Sequence, residues 1–224
     1  MEPFKVHSGS FDAILFDNDG VLVDTEGLYF RANREVLAGV GVMLDEAGYS
    51  ELFLKSGRGA WHLAEERGYD AESIASLRSA RDRRYAELVA STDVLVPGVV
   101  DMVRALAESY RLAIVTSSDP EPFALTHART GLLGFFELVL TRQHYRNSKP
   151  DPEPYLHAVA RLGAVPARCL VIEDSERGLQ AAKAAGLTCW VVPSGLTAGG
   201  CFDDADAVLP HLRAVGEQLL APPC

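Results

Sequence analysis

Short, wholly apolar runs alternating with longer stretches of helical period predict an α/β fold: a Rossmann-like doubly wound parallel sheet core with an inserted all-helical cap domain. Three observations carry this expectation. The runs Ala13–Phe16, Leu112–Val115, Leu138–Leu140, Leu170–Ile172, Cys189–Val192 and Ala207–Leu209 are apolar throughout, as strands covered on both faces must be. Between them, Val99–Glu108, Pro122–Thr130, Pro154–Leu162 and Glu176–Ala185 place apolar residues three or four apart, the spacing of helices with one buried stripe. From about Thr25 to Thr92, helical patterns follow one another with no strand among them.

That helix-only block comes directly after the first strand. Within it, Glu72–Val89 reads as one long helix with a charged face of Arg78, Arg81, Asp82 and Arg84. Gly27 stands at the start of the block. Ser91-Thr92-Asp93 and Pro97-Gly98 mark its end, and residues of these types suit linkers that act as hinges. The expected division is therefore a discontinuous core, 1–24 and 94–224, with a cap over 25–93.

Composition narrows the class of function. With 224 residues, 48% hydrophobic and 23% charged, the chain has ordinary globular usage. A formal net charge of -10 argues against nucleic acid or an anionic membrane as a partner. The four cysteines, Cys169, Cys189, Cys201 and Cys224, form no CxxC pair, and two lie in apolar runs. They read as reduced packing residues, which favours a cytoplasmic protein. No apolar stretch approaches the roughly 18 residues that a membrane span needs. Met1 to Ser10 lacks the basic and apolar pattern of a signal peptide.

In an open parallel sheet, ligands bind beyond the carboxyl ends of the strands. The residues that follow the apolar runs are Asp17-Asn18-Asp19-Gly20, Thr116-Ser117-Ser118-Asp119 and Glu173-Asp174-Ser175, and a further loop leads to Ser148-Lys149-Pro150. If the strands are parallel, these groups share one edge. Asp17, Asp19, Glu173 and Asp174 would repel one another there unless a cation joined them, and an all-oxygen set suits Mg²⁺. The Thr116 hydroxyl and the Lys149 ammonium are suited to holding phosphate oxygens. A carboxylate nucleophile forming an aspartyl-phosphate would divide a slow hydrolysis into two easier steps.

The stretch Asp17-Asn18-Asp19-Gly20-Val21-Leu22-Val23-Asp24-Thr25-Glu26 resembles the first motif of the haloacid dehalogenase (HAD) superfamily, in the branch of β-phosphoglucomutase and sugar phosphatases with a helical cap. Val115-Thr116-Ser117-Ser118, Ser148-Lys149-Pro150-Asp151-Pro152 and Ile172-Glu173-Asp174-Ser175 with Gly178 are similar to the second, third and fourth motifs, in the same order. The resemblance implies a Mg²⁺-dependent phosphatase acting on a small phosphorylated metabolite, as a monomer or weak homodimer. It makes Asp17 the nucleophile and Asp19 the general acid and base. Thr116, Ser117 and Lys149 would bind phosphate. Asp17, Asp19 (through its carbonyl), Asp174 and Glu173 would hold the metal.

In related caps, the position of Arg58 carries a basic residue near the substrate; Lys55, Trp61 and His62 are weaker candidates. Two departures stand out. Tyr29 falls where β-phosphoglucomutase has a histidine, which favours hydrolysis over the alternative, a phosphosugar mutase. Asn18 replaces the apolar residue usual between the two aspartates, and its side chain is expected to point away from the nucleophile. A non-catalytic phosphate-binding module, the remaining alternative, has no need to keep both Asp17 and Asp19.

Overall fold

The computed structural model describes residues 11–221. Cys224 and the Met1–Ser10 segment therefore lie outside the described residues. Among those described, a single parallel sheet holds β1 (Ala13–Phe16), β2 (Arg111–Val115), β3 (Leu138–Leu140), β4 (Cys169–Glu173), β5 (Thr188–Val191) and β6 (Ala207–Val208). The order across it is β3-β2-β1-β4-β5-β6. Every predicted apolar run is a strand, shifted at most by a residue at its ends.

The helices are α1 (Glu26–Ala38), α2 (Glu46–Tyr49), α3 (His62–Glu65), α4 (Ala71–Ala90), α5 (Val99–Ala107), α6 (Pro120–His127), α7 (Glu153–Leu162), α8 (Glu176–Ala184) and α9 (Leu212–Leu219). A π-helical turn, Ser50–Lys55, joins α2 to the loop before α3. No helix is long and apolar enough to cross a membrane among the described residues.

Alternation along the strands divides the core into two layers. Ile14, Phe16, Leu112, Ile114, Leu170, Ile172 and Trp190 pack on one face with α5 and α9, through Val103, Leu106, Val215 and Leu219. Ala13, Leu15, Ala113, Val115, Val171, Cys189 and Val191 face the other way, against Tyr155 and Leu162 of α7 and Leu179 of α8. All four residues of β1 are 0% exposed. Burial on both faces is why these strands had to be continuously apolar and were legible in the sequence. Cys169 and Cys189 are free thiols buried in β4 and β5, as expected of packing residues.

The long helix was predicted over Glu72–Val89 and spans Ala71–Ala90, with Asp70 capping it through the Ser73 N–H at 2.9 Å. With α1 it carries its own apolar cluster, in which Phe30, Leu37, Tyr49, Trp61 and Ile74 are buried. The chain reaches this helical insertion and returns from it through one narrow neck: Asp24 N–H donates to Val94 O (2.8 Å) and Val96 N–H to Leu22 O (3.2 Å).

Two readings need correction. Gly27 is not a linker residue but sits in the first turn of α1, where the Thr25 carbonyl already accepts from Leu28 and Tyr29. The helix starts one residue earlier than the glycine suggested. And α9 was not anticipated, although Leu212, Val215 and Leu219 carry the spacing of a buried stripe.

A β-carbon at Gly27 would meet nothing within 4 Å. Gly27→Ala should therefore stabilise the protein by about 0.5–1 kcal/mol through helix propensity. Turnover should be unchanged, whereas a true hinge glycine would lose it; thermal melts and a phosphate-release assay decide.

Candidate active site

Parallel register brings the predicted groups together. Phe16 is level with Ile114 of β2 and Ile172 of β4, so the next residues of all three strands emerge at one edge of the sheet. Asp17 is anchored there by its N–H on Ile172 O, at 2.9 Å.

At the centre of the site is Lys149, 4% exposed. Its ammonium donates to Asp17 Oδ1 at 2.5 Å, Glu173 Oε1 at 2.7 Å and Val115 O at 2.8 Å. All three of its protons are thereby used. Burial opposes the charge, but Asp17 and Glu173 outweigh it and hold the lysine above its ordinary pKa. Glu173, 0% exposed, also accepts from Tyr155 (2.6 Å) and Ser175 (3.2 Å).

The carboxylates outnumber that single ammonium. Oxygens of Asp17, Glu173 and Asp174 lie within 4.8 Å of one another, all buried. Burial pushes Asp17 up to about 8, with Lys149 pulling the other way and Glu173 and Asp19 adding to the rise. Asp174 is pushed well above the carboxylate range by burial and by its neighbours Asp17 and Glu173. Gly20, at φ 83°, lies so near Asp174 that a β-carbon would fall 2.1 Å from Oδ2. No side chain fits between the catalytic turn and this carboxylate.

Asp19 occupies the other side of the turn. Its carboxylate accepts from Thr25 at 2.5 Å and Ser118 at 2.7 Å, with Thr116 at 3.4 Å. Ser117, the serine singled out in the sequence, instead accepts from Ser148 Oγ at 2.9 Å. Asn18 points away from Asp17, as alternation required, and meets His127.

These groups open into a cavity of about 620 Å³, roofed by the helical insertion. Arg58 and Trp61 line it, whereas Lys55 is paired with Glu51 at 3.8 Å. The charged face of α4 is divided: Arg78, Arg81 and Asp82 line the cavity, and Arg84 binds Glu35 and Glu87 at 2.6 and 2.9 Å. Arg81 also donates to the Tyr29 hydroxyl. Arg142 and Arg177 complete the basic lining from the sheet side. Arg177, which donates to Lys149 O and packs against Gly57, was missed because nothing in its helix marks it as inward-facing.

The order and spacing of these motifs are matched by a family model over residues 11–186, that of haloacid dehalogenase-like hydrolases. The chain belongs to this family. Among curated HAD proteins, it is 36% identical to Protein CbbY of Rhodobacter capsulatus, over 93% of this chain and 96% of that one. It is 30% identical to the fructose-1-phosphate phosphatase YqaB of Escherichia coli, over 79% of this chain and 94% of the relative. A crystal structure of a mutant CbbY from Rhodobacter sphaeroides in complex with xylulose-(1,5)bisphosphate superimposes with a TM-score of 0.78. That HAD structure shares 29% identity, covering 93% of this chain and 99% of the other.

Two outcomes are expected from this geometry. At Gly178 a β-carbon would fall 1.9 Å from the Glu173 carboxyl, so Gly178→Ala should drive Glu173 off Lys149 and Tyr155. The expected loss is about 1–3 kcal/mol on thermal unfolding, the usual cost of overpacking, together with loss of activity.

The second outcome concerns Glu26, at the cavity wall. Burial raises it to about 7, opposed by the Tyr49 hydroxyl and aided by Asp19 and Asp24. A carboxyl raised in the folded state contributes fully below its unfolded value, 4.5, and loses that contribution as pH climbs through about 7. In chelator, the melting temperature of Glu26→Gln should therefore gain on the wild type between about pH 5 and pH 8. A constant difference across that range would mean that Glu26 does not titrate there.

Proposed function

We propose that this HAD hydrolase is a Mg²⁺-dependent phosphatase that removes a phosphoryl group from a small phosphorylated sugar or similar metabolite through Asp17. The observation that carries this reading is the cluster of Asp17, Glu173 and Asp174 beside a single ammonium, at the floor of a cavity whose outer wall carries several arginines.

A Mg²⁺ ion fits the donor set, because buried hard oxygens remain electrically uncompensated after Lys149 has been counted. Asp17, Asp174 and the carbonyl of Asp19 would hold it. Glu173, whose oxygens already accept from Lys149, Tyr155 and Ser175, would contribute from behind. When bound, the ion supplies charge neutralisation for the acidic cluster and the transferring phosphoryl group.

The chain's own groups then divide the work. Lys149 would exchange one of its present acceptors for a phosphate oxygen, and the hydroxyls of Thr116 and Ser117 would bind the others. Asp17 Oδ attacks phosphorus, so that an aspartyl-phosphate forms as the ester oxygen leaves. Asp19 gives that oxygen its proton, then takes one from the water that attacks the aspartyl-phosphate, releasing inorganic phosphate and restoring Asp17. Thr25 and Ser118 keep the Asp19 carboxylate in place for both transfers. Arg58, Arg78 and Arg81 would meet the far end of the substrate. Arg58 and Arg78 form no salt bridge among the described residues, so their charge is free for an anionic ligand. The sugar-phosphate names of the relatives support this substrate class, and the 25–93 segment is proposed as the cap that selects within it.

The test is phosphorus NMR on a panel including fructose 1-phosphate, xylulose 1,5-bisphosphate, phosphoglycolate and β-glucose 1-phosphate, with Mg²⁺ and with chelator. Inorganic phosphate should appear only with metal. Asp17→Asn should abolish it, and Asp19→Asn should slow it about 10²–10⁴-fold. Glucose 6-phosphate without free phosphate would make the protein a mutase, and silence throughout would leave a binding role.

A further inference from the structure

One buried imidazole takes no part in this chemistry. His127, the last residue of α6, is 5% exposed, and its Nε2 lies 2.7 Å from Oδ1 of Asn18, itself 1% exposed. Nδ1 is 3.0 Å from the Thr130 hydroxyl, and the ring packs 4.5 Å from that of Phe123. Burial lowers the histidine to about 4, so it is neutral around pH 7 and carries one ring proton. An amide oxygen only accepts, so that proton sits on Nε2 and is donated to Asn18.

Asn18 is the hub of the catalytic turn. It separates Asp17 from Asp19, and its carbonyl accepts from the N–H groups of Val21, Leu22 and Val23 at 3.3, 2.9 and 3.1 Å. The opposite end of α6 grips the same turn, since Ser118 and Thr116, which hold the Asp19 carboxylate, directly precede its cap residue Asp119. One helix is thus fastened to the turn twice, once at the carboxylate of Asp19 and once at the amide of the residue before it.

We propose that His127 is a positioning residue for Asp19, acting through the side chain of Asn18. The inference rests on the acid/base reading of Asp19 given above. The turn bends tightly and Asp19 projects into an open cavity. Thr25 and Ser118 hold its carboxylate, and the directional bond at Asn18 adds the contact that sets the turn against the far end of α6. The phosphate contact of Lys149 arises from a separate loop and does not depend on this bond.

Three variants test it in the phosphate-release assay, using the panel ester with the highest turnover: His127→Leu, His127→Gln, and Asn18→Leu combined with His127→Leu. His127→Leu should lower kcat between about tenfold and 10²-fold, the scale of a small misplacement of a reacting group. KM should stay within about twofold, because ground-state phosphate binding is untouched. Glutamine keeps an N–H for Asn18 and should recover most of kcat. The double variant strands no buried polar group, so its melting temperature should recover while kcat stays low.

Should His127→Leu fail to fold, the glutamine and double variants decide the matter. A His127→Leu kcat within about twofold of wild type overturns the proposal, as does a kcat that recovers with melting temperature in the double variant. An inactive wild type removes the acid/base reading and this inference with it. An active wild type with an indifferent His127 overturns this inference alone.

Discussion

The ammonium of Lys149 is the point on which the site is built. It comes from a loop outside the sheet, yet it ends against the carboxylate of Asp17 just beyond β1, the carbonyl that closes β2 and the carboxylate that closes β4. One charge therefore ties together the ends of the strands that carry the chemistry. Removing it would leave the buried Asp17 and Glu173 without a counter-charge, a situation that commonly costs about 3–5 kcal/mol. Even so, it cannot satisfy every acid present. The buried carboxylates left over around Asp174 are the physical reason for proposing a cation at this place.

The sheet supplies the precision that this arrangement needs. Because β1 lies inside the sheet, its end is braced from both sides, and residue 17 has no freedom to shift along the strand. One side of the turn faces Asp174 across the Gly20 gap, while the Asp19 side faces Ser118 and Thr25. Asp17 and Asp19 thus stand in different surroundings although only Asn18 separates them.

Much of this was legible in the sequence, for identifiable reasons. Strands buried on both faces leave an unbroken apolar run, and the polar residue that ends each run marks the sheet edge. Asn18 could be assigned its direction from strand alternation alone. What it met could not be foreseen, because His127 lies 109 positions away and only the packing of α6 brings it there. The contact of Ser118 with Asp19 was not foreseen either, because it depends on how the loop after β2 twists, which no periodicity encodes. Arg78 and Arg81 were read as part of a charged face. Helical spacing tells which residues share a face, not whether that face meets bulk water or a cavity. Gly27 was read as a hinge because of its residue type, but the capping geometry of α1 overrode that preference.

The neck between the sheet and the helical insertion has a further consequence. Both crossings are made side by side, with Val23 bridged to Leu95 and Asp24 bonded to Val94. The ends of the inserted segment thus meet at one place, so the sheet is indifferent to the length and content of what lies between. The roof over the cavity can be lengthened, recharged or exchanged in the course of evolution while the strand ends keep their register. If the roof selects the substrate as proposed, such a chain can diverge quickly in its choice of substrate and slowly in its chemistry.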